Sequence, residues 1–160
     1  MVGILSDTHD NLDRVRAAVR LFNDAGCDLV IHAGDFVAPF TVDQLRNLKA
    51  PLRAVFGNCD GEKAGLIRAF QGAGEIREEP FAFLYAGLRF VVAHLEGMAA
   101  PFFVARTCDV IVSGHTHRPL IETRDGILLI NPGEAGGWLG GKSTVALLDP
   151  AALTADIITL

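Results

Sequence analysis

Val2-Gly3-Ile4-Leu5-Ser6-Asp7-Thr8-His9-Asp10-Asn11-Leu12 holds, in one short stretch, an apolar run, a polar turn and the start of a helix. Val2–Leu5 has no polar alternation, so it reads as a buried strand. Asn11 is a good N-cap, because its side-chain oxygen can accept from a free N–H of the first turn. Leu12, Val15, Val19 and Phe22 follow at helical spacing and predict a helix to about Asp24, stopped by Gly26. The same order then repeats. Asp28–His32 is a strand, Ala38–Leu48 a helix, Leu52–Phe56 a strand, and a helix runs from about Glu62 to Phe70. Strand and helix in alternation imply a mostly parallel sheet.

The second half of the chain reads differently. Phe81–Tyr85 and Leu88–Ala93 flank Ala86-Gly87 as a hairpin, Pro101–Arg106 has helical character, and Asp109–Val112 is another buried strand. Leu120–Arg124 and Ile127–Ile130 are joined by Asp125-Gly126, the strongest short hairpin signal. Ser143–Leu148 and Leu153–Leu160 form a last pair of strands. Antiparallel pairs after a parallel half imply two packed sheets with helices outside. No linker, repeat or boundary interrupts residues 1–160, so a single domain is expected.

Composition narrows the function. The chain has 160 residues, 50% of them hydrophobic and 21% charged, with a net charge of -5. That is the balance of a globular domain rather than a disordered one. No dense Lys/Arg run appears, which argues against long nucleic acid as a partner. No apolar stretch has the length of a membrane span. Met1 leads straight into the first strand without a basic leader, and Cys27, Cys59 and Cys108 are scattered, so a reducing cytoplasm is the expected location.

The polar residues that carry chemistry follow the strands. Ser6-Asp7-Thr8-His9, Gly34-Asp35, Gly57-Asn58-Cys59-Asp60, His94 and Gly114-His115-Thr116-His117 each come just after an apolar run. In α/β sheets, sites form beyond the carboxyl ends of strands. Imidazole and carboxylate suit first-row metals. Asp7 and His9 are two apart, as are His115 and His117, so in extended backbone each pair points to one side.

In this order the segments resemble the calcineurin-like metallophosphoesterases and, among them, the small YfcE-like phosphodiesterases. Asn131-Pro132-Gly133 also resembles a late turn of that family. The resemblance runs from residue 4 to about 133 and implies a four-layer α/β/β/α sandwich. It implies one metal held by Asp7, His9, Asp35 and His117, and a second held by Asp35, Asn58, His94 and His115, with Asp35 bridging. It implies two divalent ions, manganese first, with iron, zinc, nickel, cobalt and magnesium as the other choices. Against the carboxylates of Asp7 and Asp35, such a pair leaves a cluster charge of about +2, a local cation suited to a phosphate ester. The implied reaction is in-line attack of a metal-bridging hydroxide on a small phosphate ester, with Asp35, Asn58 and His94 as its catalytic residues. Asn58 would orient a phosphate oxygen as well as bind its metal.

Two positions depart from the family pattern. Cys59 stands where many relatives have a histidine, a feature shared by the YfcE-like branch. A thiol is a poor general acid, which favours esters with good leaving groups; equally, Cys59 can be a small filler. His94-Leu95-Glu96 stands where the family often has His-Gly-His, and the added negative charge tilts the reading toward diesters. Other polar residues have two readings. His32 is better read as a structural histidine than as a ligand. Asp10 and Asp60 are either orienting partners or solvated loop carboxylates. Arg118 reads as a surface residue. Gly136–Ser143 matches G-x-x-x-x-G-K-[ST], but a β-rich segment follows it instead of a helix, so the match is read as chance.

The rival to an enzyme is a non-catalytic scaffold, since a retromer subunit of this same fold has lost much of its catalytic set. Here every ligand position carries a competent residue, which favours the enzyme. The sequence leaves oligomeric state open, a homo-oligomer included.

Overall fold

The computed structural model describes residues 1–160. The first half of the chain contains β1 (Val2–Leu5), α1 (Leu12–Asp24), β2 (Leu29–His32), α2 (Thr41–Leu45), β3 (Leu52–Val55), α3 (Lys63–Phe70) and β4 (Gly74–Arg77). The second half contains β5 (Phe81–Tyr85), β6 (Leu88–Val92), α4 (Glu96–Ala105), β7 (Val110–Val112), β8 (Leu120–Arg124), β9 (Ile127–Asn131), β10 (Thr144–Asp149) and β11 (Thr154–Thr159).

These strands form two mixed sheets. One has the order β11-β10-β1-β2-β3-β4, the other β5-β6-β7-β9-β8. Strands β1 to β4 run parallel, as do β6, β7 and β9; the pairs β1–β10, β10–β11, β5–β6 and β8–β9 are antiparallel. Three apolar layers hold four structural layers together. Val15, Val19, Phe22, Leu45, Leu66 and Phe70 cover the outer face of the first sheet. Ile4, Leu29, Ile31 and Val55 meet Phe90, Val92, Val112 and Ile130 between the sheets. Ala99 and Phe103 of α4 cover Val91, Ile111 and Leu129 on the far side. The result is the expected α/β/β/α sandwich. No helix is long and apolar enough to cross a membrane.

Local signals explain much of this. The Asn11 side chain accepts from the Arg14 amide and caps α1. Both hairpin turns, Ala86-Gly87 and Asp125-Gly126, have positive φ at their two central residues, the geometry of tight antiparallel turns. Ser143 runs directly into β10, so Lys142 does not open a helix and the phosphate-loop motif lacks its structural context.

Three expectations need correction. The helix expected over Ala38–Leu48 shrinks to α2. Asp10 holds the Ala38 amide and the Thr41 hydroxyl ahead of it, and the Asn47 amide bonds the Asp43 and Gln44 carbonyls behind it, competing with a further turn. Helix α4 starts at Glu96, five residues before the expected Pro101. Pro101 costs one bond to the carbonyl of Gly97, which is exposed and can be solvated. Strand β4 was not expected. It is a half-exposed edge strand of mixed polarity, positioned by pairing with β3 and not by a pattern of its own.

Candidate metal centre

The carboxyl ends of β1, β2, β3, β6, β7 and β9 share one edge of the sandwich and deliver Asp7 and His9, Asp35, Asn58, His94, His115 and His117, and Glu134 respectively. The expected residues do converge. Ligand atoms of Asp7, His9 and His117 lie within 4.8 Å of one another, as do those of Asp7, Asp35 and His94. His9 Nε2 is 3.7 Å and His94 Nε2 3.4 Å from Asp35 Oδ2, so this carboxylate stands between the two groups. Asn58 Oδ1 lies 2.8 Å from both His94 Nε2 and His115 Nδ1.

The backbone corrects one sequence argument. Asp7, His9, Asp35, His115 and His117 all have positive φ, between 41° and 67°. They do not sit in extended backbone, so the two-residue spacing does not align their side chains as a strand would. Left-handed conformations at non-glycine residues are costly and cluster where the surroundings enforce them, often at functional sites.

The enforcing contacts are visible. The Asp60 carboxylate is buried and accepts from the amides of Asp35, Gly57 and Val37 at 3.0, 2.7 and 2.8 Å. Burial pushes its carboxyl above the ordinary value despite these bonds. Asp60 is therefore a positioning residue and not a solvated loop carboxylate. Asp10 is half-buried and tethers the start of α2. His32 is fully buried and stacks on Phe36 at 3.6 Å. Its Nδ1 accepts from the Gly34 amide, so Nε2 carries the proton and donates to Thr8 Oγ1. The Thr8 hydroxyl in turn donates to the Asp35 carbonyl. His32 is structural, as read from the sequence, and it links the β1 and β2 ends.

Burial lowers the His32 pKa to about 3. The unfolded chain protonates near 6.5 while the native imidazole stays neutral, so stability should fall as pH drops from 6.5 toward 3, by about 1.4 kcal/mol per unit. Comparing urea unfolding of wild type and His32→Gln across that range checks this. The slope should be shallower in the variant by about one proton.

Glu134 was not foreseen. It is buried, and its oxygens accept from the amides of Trp138, Leu139 and Gly140. Burial raises its carboxyl, but these bonds outweigh burial and hold it below the ordinary value. Its Oε2 lies 3.4 Å from His117 Nδ1, which leaves His117 Nε2 facing Asp7 Oδ1 at 3.2 Å. If His117 holds a metal, a carboxylate this close would orient its imidazole and raise its basicity, and Glu134→Gln should weaken metal affinity about 10- to 100-fold, measured by competition with a chelating dye. Asn131 does similar work: its amide donates to the Gly114 carbonyl and the Thr116 hydroxyl, fixing the loop that carries His115 and His117.

The donor set fits cations. His94 Nδ1 lies 2.8 Å from the Ala33 carbonyl, which can only accept, so Nδ1 carries the proton. The His94 Nε2 lone pair then faces Asn58 Oδ1 and Asp35 Oδ2, two more acceptors. Asp7 Oδ1 and His9 Nε2 are buried and have no hydrogen-bond partner. Buried ligand atoms left without a hydrogen-bond partner are costly unless a cation satisfies them. Ligands held about 2.1 Å from one ion at right angles lie about 3 Å apart, the scale of these contacts. Burial raises the Asp7 carboxyl, but His9 and the Ser6 hydroxyl outweigh it; the Asp7 contact in turn raises the His9 imidazole. Desolvation and the carboxylates of Asp35 and Asp60 push the Cys59 thiol up to about 11.

The centre opens into a cleft of about 410 Å³ whose walls include Cys59, Trp138 and Leu139. Glu96 and Arg118 line a second cavity, of about 560 Å³, that shares His115 with this cleft.

The chain matches the calcineurin-like phosphoesterase superfamily domain over residues 1–152. It is 37% identical to phosphodiesterase MJ0936 of Methanocaldococcus jannaschii, over 92% of each chain. It is 28% identical to phosphodiesterase YfcE of Escherichia coli, over 93% of this chain and 87% of that one. A solved structure described as a novel archaeal phosphodiesterase superposes with a TM-score of 0.94 at 35% identity, covering 99% of both chains. The chain therefore belongs to the calcineurin-like phosphoesterase superfamily.

Proposed function

We propose that the chain is a single-domain phosphodiesterase that binds two divalent cations, manganese first, and hydrolyses a small phosphate ester. The observation that carries this reading is the convergence of carboxylate, imidazole and amide ligand atoms at one sheet edge, with Asp35 between two imidazole groups. Asp7, His9, Asp35 and His117 would hold one ion; Asp35, Asn58, His94 and His115 would hold the other. Divalent ions there would acidify a water and stabilise the entering and leaving oxygens of an in-line displacement.

The chain's own residues do the positioning. His94 is locked in one tautomer by the Ala33 carbonyl. The Asn58 amide nitrogen lies 3.3 Å from Cys59 Sγ, which holds its oxygen toward His94 and His115. In that orientation Asn58 is placed to orient a phosphate oxygen. The Cys59 thiol is a weak hydrogen-bond donor and so a poor partner for a departing alkoxide. Esters with good leaving groups, aryl diesters among them, therefore suit this site. The MJ0936 and YfcE names support the diester reading.

The test is hydrolysis of bis-p-nitrophenyl phosphate and p-nitrophenyl phosphate with added Mn²⁺. The diester should be cleaved faster, and His115→Ala should remove most of that rate. No hydrolysis with any divalent metal would leave the scaffold reading in its place.

A further inference from the structure

Trp138 is the chain's one tryptophan, and it is 63% exposed. An exposed indole is not explained by core packing. Nor is it loosely attached. Its Nε1 donates to the His9 carbonyl at 3.0 Å, and its backbone amide donates to the buried Glu134 at 2.7 Å. The next residue, Leu139, is 81% exposed and bound to the same carboxylate. Glu134 Oε2 also lies 3.4 Å from His117 Nδ1, so the side chain that holds this apolar lip stands beside an imidazole of the centre. Trp138 and Leu139 line the same cleft as His9, Asp35, Asn58, His115 and His117. Nothing in the inorganic part of a phosphate ester needs a flat apolar surface.

We propose that Trp138 is a specificity residue that stacks a planar aromatic group, a nucleobase or an aryl ring, on one ester arm of the substrate. This rests on the cleft being the phosphoesterase site. The hydrogen bond to the His9 carbonyl fixes the indole relative to the centre, so the ring is pre-positioned and little is lost in ordering it on binding. Base–aromatic stacking tolerates any π face, so this lip selects for planarity and not for one base. Leu139 adds apolar contact at the rim.

The single tryptophan permits a direct test. In protein loaded with diamagnetic Zn²⁺, adenosine 5′-monophosphate and phenyl phosphate should quench Trp138 fluorescence, whereas ribose 5-phosphate and inorganic phosphate should not. A quench by the nucleotide alone assigns the lip to a base; a quench by phenyl phosphate as well assigns it to aromatic arms in general. As inhibitors of the Mn²⁺ enzyme, the quenching ligands should lose about tenfold in affinity in Trp138→Ala and recover in Trp138→Phe. Ribose 5-phosphate should inhibit both variants equally.

No quench by either aromatic ligand, or equal losses for aromatic and non-aromatic ligands, overturns the proposal. So does a loss that tracks a fall in oligomeric mass, which would assign the indole to contact between copies. The same wild-type preparation is assayed on bis-p-nitrophenyl phosphate. Hydrolysis without quenching defeats the stacking proposal alone. Absence of both hydrolysis and phosphate binding defeats the reading of the centre beneath it.

Discussion

Asp35→Asn is expected to lower kcat/KM for bis-p-nitrophenyl phosphate about 10³-fold, about 4 kcal/mol of transition-state stabilisation. The substitution keeps the shape of the side chain. The Cys59 amide donates to Asp35 Oδ1 at 2.7 Å, and an asparagine oxygen can accept that bond. Its NH₂ must then face His9 and His94, where the carboxylate Oδ2 stood. A donor replaces an anion between the two proposed groups of cation ligands. The fold should not suffer, because the variant removes one of two buried carboxylates, Asp7 and Asp35, that share a small space. Thermal unfolding of the metal-free variant should match or exceed that of metal-free wild type. A rate within tenfold of wild type would show that Asp35 does not bridge.

Gly57→Ala should cost about 10²-fold in kcat/KM and about 1–3 kcal/mol of stability. Gly57 does not have a positive φ, so a left-handed backbone is not the reason for glycine. Space is. A Cβ at Gly57 would lie 2.8 Å from Asp35 Cγ and closer still to Asp35 Oδ1 and its backbone nitrogen. The backbone of Asp35 is pinned by Asp60 and cannot retreat. The carboxylate must therefore turn away from the centre or the β3 end must lift. Kinetics and urea unfolding of the variant measure both effects. Full activity would mean that the Asp35 position tolerates movement that a bridging ligand should not.

The contrast between these two predictions shows what the sequence could disclose. Asp35 was legible because it follows an apolar run, is preceded by glycine and belongs to an ordered set of ligand-type residues. Gly57 was legible only as part of a motif; that it makes room for Asp35 is a property of two strand ends meeting. The positive φ of Asp7, His9, Asp35, His115 and His117 was invisible, because sequence flags that conformation mainly through glycine. Glu134, Asp60 and Asn131 are the supporting polar residues. Asp60 reads as either an orienting or a solvated carboxylate and Asn131 only as part of a family turn, while Glu134 carries no signal at all; their hydrogen-bond partners decide the matter. Strands of apolar residues, the Asn11 cap and the Asp125-Gly126 turn were readable because their causes are local. Edge strand β4 and the early start of α4 were not, since pairing with β3 and cover for the second sheet decide them. Two packed sheets with helices outside followed from the change between halves, and the family resemblance implied the four-layer sandwich; the three apolar layers bear both out.

Metal stoichiometry tests the central claim most directly. Protein stripped by chelator and titrated with Mn²⁺ in a calorimeter, with content checked by elemental analysis, should bind two ions per chain. His94→Ala and His9→Ala should each lose one, and hydrolysis of the diester should appear only as the second ion binds. A wild-type chain that takes up one ion or none, or that reaches full activity after the first, would contradict the account.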